Sequence, residues 1–330
     1  MAKRNKNIII YLLFVLLFFC GILYLAFYRK KTEEAMVNFN SEELKEFSYG
    51  NDKTSHIPKI IWTFWSDSTT NFEGQRPEKF GEGVDNVVVN MCIDSWKHYN
   101  PDYDIRILNK SNYSEYVDID VSKIQHSNDF IARFADYVRC LVLSKYGGFW
   151  IDASIICHHP FSWVHAIQNK TKVEFVGYYI GDVLDNKYPV IENWFFACIP
   201  NSQFMNDWSD EFLSTGNHKT IEDYLKDVGS QGIDTSKVQI PDYLTMHVSA
   251  QKVIQKNPKK YDILVFAACS GPLKYLCDAN FHDETAVKNL LDPEKHSTYH
   301  KYTFVKICGG QRKILETYNK TTLLPAFSNV

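Results

Sequence analysis

The residues best suited to chemistry concentrate between Asp136 and Ser154. Asp136 and Arg139 stand three apart, a spacing that places both side chains on one helix face. Asp152 and Ser154 follow on the far side of the pair Gly147-Gly148. Two carboxylates and a guanidinium suit a sugar-diphosphate: the carboxylates take hydroxyls or a divalent cation, and the arginine takes charge or hydroxyls. Singly, each feature is commonplace. An Asp–Arg pair on a helix is usually a solvated surface pair worth about 0.2–0.5 kcal/mol. The combination is less common, and it marks this stretch as the candidate site.

The flanking pattern says what must hold these groups. Apolar residues at Ile131, Phe134, Ala135, Val138, Leu141 and Val142 recur at helical spacing, with Asp136 and Arg139 on the face opposite that stripe. Ser127 or Asn128 caps the start, and Asp129 sits in the first turn, where the helix dipole favours it. Gly147-Gly148 ends the helix, because glycine alone takes the left-handed turn cheaply. Phe149-Trp150-Ile151 is a strand too apolar to be exposed, and it delivers Asp152 at its carboxyl end. In open α/β sheets, ligands bind outside those ends.

Upstream, Pro58 opens a buried first strand running to Trp65. Alternation puts Ile61, Thr63 and Trp65 on one face. An aromatic ring at a strand's end can stack on a nucleotide base for about 1–3 kcal/mol; burial of Trp62 and Trp65 in the core is the equal alternative. A helix over Val87–His98, a turn at Asn100-Pro101-Asp102 and a strand over Tyr103–Leu108 begin a right-handed parallel unit. Downstream, the pattern predicts strands over Val173–Tyr179, Val190–Ile199, Tyr261–Ala268 and Tyr302–Cys308. Helices are predicted over Asn201–Leu213, Ile221–Lys226 and Asp242–Lys256, with a short one after Gly309-Gly310. His158 and His159 are adjacent and point different ways, which does not suit a joint metal site. His247 reads as a core histidine.

The run Arg133-Phe134-Ala135-Asp136-Tyr137-Val138-Arg139, followed by Lys145-Tyr146-Gly147-Gly148-Phe149-Trp150-Ile151-Asp152-Ala153-Ser154, resembles the signature of GT-A glycosyltransferases. The nearest groups are the capsular polysaccharide synthesis proteins and related enzymes with an Asp-x-Asp motif. Trp96, Asn100, Pro101, Asp102 and Tyr103 match a further passage of that pattern. The resemblance implies a GT-A (nucleotide-diphospho-sugar transferase) fold, a Rossmann-like mixed α/β sheet flanked by helices. It implies transfer of a sugar from a nucleotide-sugar donor to a glycan or polysaccharide acceptor, assisted by Mn²⁺ or Mg²⁺ and commonly with retention. It places Trp65, with Thr63 on the same strand face, near the nucleotide. Asn193 falls at the sugar pocket, and Lys306 where a diphosphate could be met; a surface lysine is the simpler reading of Lys306. Asp136, Arg139 and Asp152 are the catalytic candidates, and Asp152 with Ser154 the metal candidates. Ser154 stands where the common motif has its second Asp, a form that capsular-type relatives often carry. No catalytic base is named. A sugar-nucleotide-binding protein without turnover is the alternative. A two-carboxylate glycoside hydrolase ranks last, because Asp152 has no second carboxyl in motif context.

The rest of the sequence sets the frame. The 330 residues are 45% hydrophobic, enough for one large core or at most two. A net charge of -3 gives no nucleic-acid footprint. The stretch 8–27 is apolar and uncharged, long enough to span a bilayer. Lysine and arginine flank it on both sides, so they do not decide its orientation. The expected order is a tail at 1–7, a transmembrane signal anchor at 8–27, a stem at 28–55 and a GT-A-like domain at 56–330. Four Asn-x-Ser/Thr sequons, at Asn109, Asn112, Asn169 and Asn319, fit a domain facing the ER or Golgi lumen if the host is eukaryotic. Cys140 and Cys157, either side of the central strand, read as buried thiols. Disulfides among Cys92, Cys198, Cys269, Cys277 and Cys308 stay open.

Overall fold

Strand β1 (Ile60–Phe64) lies between β2 (Asp104–Leu108) and β3 (Gly148–Ile151) and runs parallel to both. β3 then pairs antiparallel with β6 (Val190–Cys198), and β6 antiparallel with β5 (Phe175–Ile180). β7 (Ile263–Ala267) completes the sheet parallel to β5. The order is β2-β1-β3-β6-β5-β7, with β6 alone running against the rest. The mixed, mostly parallel α/β sheet expected from the sequence is therefore present. A second, two-stranded antiparallel sheet joins β4 (Ile155–Cys157) to β8 (Phe304–Lys306). The computed structural model describes residues 55–65, 87–124, 130–181 and 188–327. The expected anchor at 8–27, nearly all of the stem at 28–55, the polar, glycine-containing stretch at 66–85 that the sequence predicts as a loop, and the caps at 127–129 lie outside the described residues. Among the described residues, no helix is long and apolar enough to cross a membrane.

Alternation along the strands sends side chains to two cores. Ile61, Phe149, Ile151 and Phe195 pack on one face with α1 (Val87–Tyr99), α3 (Ser162–Thr171), β4 and β8. α7 (Asp283–Leu291), α8 (Gly309–Leu315) and α9 (Lys320–Phe327) add to that face. Trp62, Trp150 and Phe196 pack on the other, against α2 (Phe130–Tyr146), α4 (Gln203–Leu213) and α6 (Thr245–Lys256). α5 (Ile221–Ser230) supports a small satellite core through Tyr224 and Val228. α3 buries Val164, Ile167 and Gln168, and with a polar residue at one of these three positions its sequence shows no apolar stripe.

α2 departs from the single stripe expected of it. Phe134, Tyr137, Val138, Cys140, Val142 and Leu143 are all buried, and so is Arg139. The helix is enclosed between the sheet and α4, so the Asp136–Arg139 face turns inward rather than to solvent. Its end is dictated by contact. Gly147 has φ +62°, and a Cβ there would lie 2.5 Å from the Pro200 nitrogen. Gly148, at φ +95°, would bring a Cβ to 2.6 Å from the Ile60 carbonyl oxygen. Both positions need glycine for the helix to turn directly into β3. α6 starts later than expected, at Thr245, because the Asp242 carbonyl is engaged by Arg133 and Thr245 side chains. Cys269 is bonded to Cys277, while Cys92, Cys140, Cys157 and Cys198 are buried thiols.

Candidate functional site

Asp152 follows directly on β3, its backbone N–H donating to the Trp194 carbonyl of neighbouring β6 at 2.9 Å. Both carboxylate oxygens are engaged. Oδ1 accepts from Arg139 Nη2 and from Trp150 Nε1, each at 3.0 Å. Oδ2 accepts from Lys306 Nζ at 2.9 Å, and the same ammonium donates to Ser154 Oγ at 2.9 Å. Arg139 also donates through Nη1 to Asp136 Oδ1, which accepts from Asn193 Nδ2 at 3.1 Å. One guanidinium thus bridges the helix carboxylate and the strand-end carboxylate, as its planar fork allows. Its plane lies over the Trp150 ring, 4.6 Å from the centroid, a cation–π contact.

Burial sets the electrostatics. Arg139 is 5% exposed. Burial lowers its pKa, with Asp152 opposing, and a guanidinium stays charged regardless. Burial alone would raise the Asp152 pKa. The Lys306 ammonium and then Arg139 outweigh it, and hold the carboxyl below its ordinary value. Asp152 is therefore an anion at neutral pH.

These groups line a cleft of about 540 Å³ at the carboxyl ends of β1 and β3, where the α/β rule places ligands. Asp136, Arg139, Asp152, Ser154, Asn193, Lys306 and Trp65 all border it. Thr63 does not: it is fully buried within the sheet. Lys306 is not the surface lysine that was its simpler reading. It is 7% exposed and sits at the end of β8, its backbone held by Pro272 and Tyr275.

Several cleft residues had no role assigned from the sequence. Arg312 lies over the Trp65 ring at 4.9 Å from its centroid, and Lys313 stands beside it on the wall. Arg133 donates to Thr245 Oγ1 at 3.0 Å and to the Asp242 carbonyl at 2.8 Å, tying α2 to the segment that carries Tyr243 and Leu244. Arg133 belongs to the run quoted above and could have been found there. Arg312 carried no spacing signal, and Tyr243 read only as a helical-spacing position of the helix predicted over Asp242–Lys256.

The Asp152–Ser154 pair can be tested as a cation site. A divalent cation of this kind takes several oxygen ligands, carboxylates foremost. Here one carboxylate and one hydroxyl converge, and an ammonium is bonded to both. Among the described residues, no group of three or more His, Cys, Asp or Glu side chains is placed to hold a metal. The donor set does not fit a divalent cation. His158, His159 and His247 stand apart from the cleft. His158 stacks on His300 with centroids 4.1 Å apart, while His159 Nε2 meets the His300 carbonyl at 3.0 Å. His247 is buried beside Glu192.

Residues 26–320 match the family of capsular polysaccharide synthesis proteins. That span covers most of the chain, and the protein belongs to this family. No curated protein matches. A solved structure described as the PaToxG glycosyltransferase aligns at 13% identity over 88% of this chain and 95% of its own, with a TM-score of 0.35.

Proposed function

We propose that the protein is a glycosyltransferase of the GT-A type, moving a sugar from a nucleotide-sugar donor to a glycan or polysaccharide acceptor. The observation that carries this is the Arg139 fork joining Asp136 to Asp152 at the strand ends, inside a cleft bordered by an aromatic ring and cations. Family membership supports it. Trp65 and Arg312 bracket the base end. Asp136, Arg139 and Asn193 take sugar hydroxyls, and Asp152 takes ribose or sugar hydroxyls while fixing Arg139 and Lys306. The acceptor hydroxyl must be held beside the anomeric carbon, and the Tyr243–Leu244 wall supplies the surface for it.

The same proposal has the domain carried by an anchor at 8–27 and a stem at 28–55, facing an oxidising lumen. The Cys269–Cys277 bond supports the compartment, since such bonds persist in secretory spaces and are rare in the cytosol. Free-thiol counting on protein from a secretory host should find these two cysteines blocked until reduction; two reactive thiols there would remove that support.

The transferase reading is tested by release of nucleoside diphosphate from UDP-glucose, UDP-galactose, UDP-N-acetylglucosamine and GDP-mannose, with glycan acceptors present. Release that depends on acceptor supports transfer. Tight binding of a sugar nucleotide with no turnover would instead favour a binding protein on the same fold.

A further inference from the structure

We propose that Lys306 supplies the positive charge that a divalent cation supplies at an Asp-x-Asp turn, so that this protein transfers sugar without a metal. The proposal rests on the transferase reading of the cleft and specifies its electrostatics.

The turn after β3 offers two side-chain ligands, the Asp152 carboxylate and the Ser154 hydroxyl. Lys306 Nζ lies 2.9 Å from Asp152 Oδ2 and 2.9 Å from Ser154 Oγ, at the bridging point between them. The other carboxylate oxygen is committed to Arg139 and Trp150. A cation at that bridging point would meet the ammonium at contact distance, where like charges repel strongly in a poorly solvated site. Serine in place of the second carboxylate fits this arrangement. An ammonium beside one carboxylate is balanced, and a hydroxyl accepts its second hydrogen bond without adding charge. The backbone that carries Lys306 is fixed from three sides, so the ammonium is delivered to this point by the fold. Its strand pairs with β4, its backbone N–H donates to the Pro272 carbonyl at 3.1 Å, and the Tyr275 hydroxyl donates to its carbonyl at 2.8 Å.

Charge counting over the whole cleft agrees. Arg133, Arg139, Lys306, Arg312 and Lys313 face it against two carboxylates, Asp136 and Asp152, with Glu316 outside the lining 3.5 Å from Arg312. The excess of cations matches a nucleoside diphosphate with no metal added. An ammonium carries three donors, and two are used by Asp152 and Ser154; the third serves a diphosphate oxygen. In the transfer step, the acceptor oxygen bonds to the anomeric carbon as the bond from that carbon to the diphosphate oxygen breaks. The electron pair stays on the departing diphosphate, which also takes the acceptor hydroxyl proton. Lys306 and Arg312 stabilise the charge that develops there, the task a metal would otherwise perform.

The test uses the full-length protein in detergent. Release of nucleoside diphosphate from the four sugar nucleotides above is compared in excess EDTA and in Mn²⁺. In parallel, Mn²⁺ binding is followed by electron paramagnetic resonance with UDP or GDP present. The proposal expects rates within about twofold of each other in the two conditions, and no protein-dependent Mn²⁺ signal beyond that of the nucleotide alone. It expects the Ser154→Asp, Lys306→Met double variant to gain a Mn²⁺ signal, and Lys306→Met alone to lose UDP or GDP affinity in EDTA by at least about tenfold. Lys306→Arg, which keeps the charge, should retain most of that affinity. Activation by Mn²⁺ of more than about tenfold, reversed by EDTA, would overturn the proposal, as would a wild-type Mn²⁺ signal abolished by Asp152→Asn. If no sugar nucleotide turns over in any condition, the transferase reading fails. The Mn²⁺ measurement on the wild type, with nucleotide affinity compared between the wild type and Lys306→Met, still decides the role of Lys306.

Discussion

Two buried lysines in this molecule each meet carboxylates, and their surroundings differ. Lys252, on α6, places Nζ 2.8 Å from Glu211 and 3.7 Å from Asp227. The Tyr224 hydroxyl donates to the same Glu211 oxygen at 3.0 Å, and the Tyr224 ring packs beside the ammonium. Here one cation faces two carboxylates, none of them borders the cleft, and the cluster fastens α4, α5 and α6 together. Lys306 is as buried as Lys252, with 9% of the side chain exposed in each case. Its cluster lies on the wall of a cleft where cations outnumber carboxylates. A buried ion pair is weak evidence of anything by itself, because desolvation offsets much of its attraction. The difference lies in the balance of charge and in access: the α6 cluster has more carboxylates than lysines and stands away from the cleft, whereas cations exceed carboxylates along the cleft wall, which suits an anion.

The sharpest break of that comparison is Asp152→Asn. The change keeps the shape and removes one charge. If Asp152 orders Arg139, Lys306 and the donor, transfer should fall by at least about a hundredfold, or about 2.7 kcal/mol of transition-state stabilisation. Far-ultraviolet circular dichroism should stay that of the wild type. Asp136→Asn should move transfer in the same direction, since Asp136 holds the other side of the Arg139 fork. Near-normal turnover in folded Asp152→Asn protein would remove the strand end from the active site.

Much of this cluster was legible in the sequence, and the rest was hidden for a definite reason. Asp136, Arg139 and Asp152 lie within one helix–turn–strand unit, so local spacing and the glycine pair were enough to bring them together. The inward turn of the Asp136–Arg139 face was not readable, because it depends on α4 packing on the far side of α2. Lys306 is remote in sequence from Asp152. Only the pairing of β4 with β8 joins them, and three-residue strands leave almost no alternation to read. The Arg312–Trp65 contact has the same origin. The main sheet was legible because its strands are runs of β-branched and aromatic residues, whereas α3 and α7 were missed because each places a polar residue, Gln168 or Asn289, on its short buried face.

Lys252→Met sharpens the comparison from the other side. It removes the ammonium and keeps the stem, so Glu211 and Asp227 lose their counter-charge. Glu211 is partly exposed and Asp227 more so, with side-chain values of 18% and 41%, which moderates the cost. Urea unfolding should show a loss of about 2 kcal/mol, below the range for fully buried pairs. Transfer per folded molecule should match the wild type, because no member of the cluster borders the cleft. A large fall in turnover at full folding would mean that α6 transmits strain through Met246, whose sulfur accepts from Arg139 Nη1 at 3.6 Å, and the two clusters would no longer be separable.

The smallest effect concerns a buried group with no opposite charge at all. His158 is 1% exposed, and neither ring nitrogen has a hydrogen-bond partner among the described residues. It stacks on His300, which in turn stacks on His296. Burial first, and then the neighbouring imidazoles, lower its pKa to about 3. The unfolded chain has an ordinary histidine there, near 6.5. Between those values the unfolded state binds a proton that the folded state refuses. The stabilisation is complete above the unfolded value and is lost as pH falls below it. From pH 7 to pH 5 the wild type should lose about 2 kcal/mol to this one residue. Asp152 is silent in that window. Its pKa is lowered from an ordinary carboxyl value, so its contribution is present above about pH 4 and fades only below that. His158→Phe keeps a ring in the stack and removes the titration. Urea unfolding of both proteins across this range should therefore give a steeper pH dependence for the wild type by that amount. Equal slopes would show that His158 takes up its proton in the folded state, and that this molecule tolerates a buried cation without the counter-charge that both lysines have.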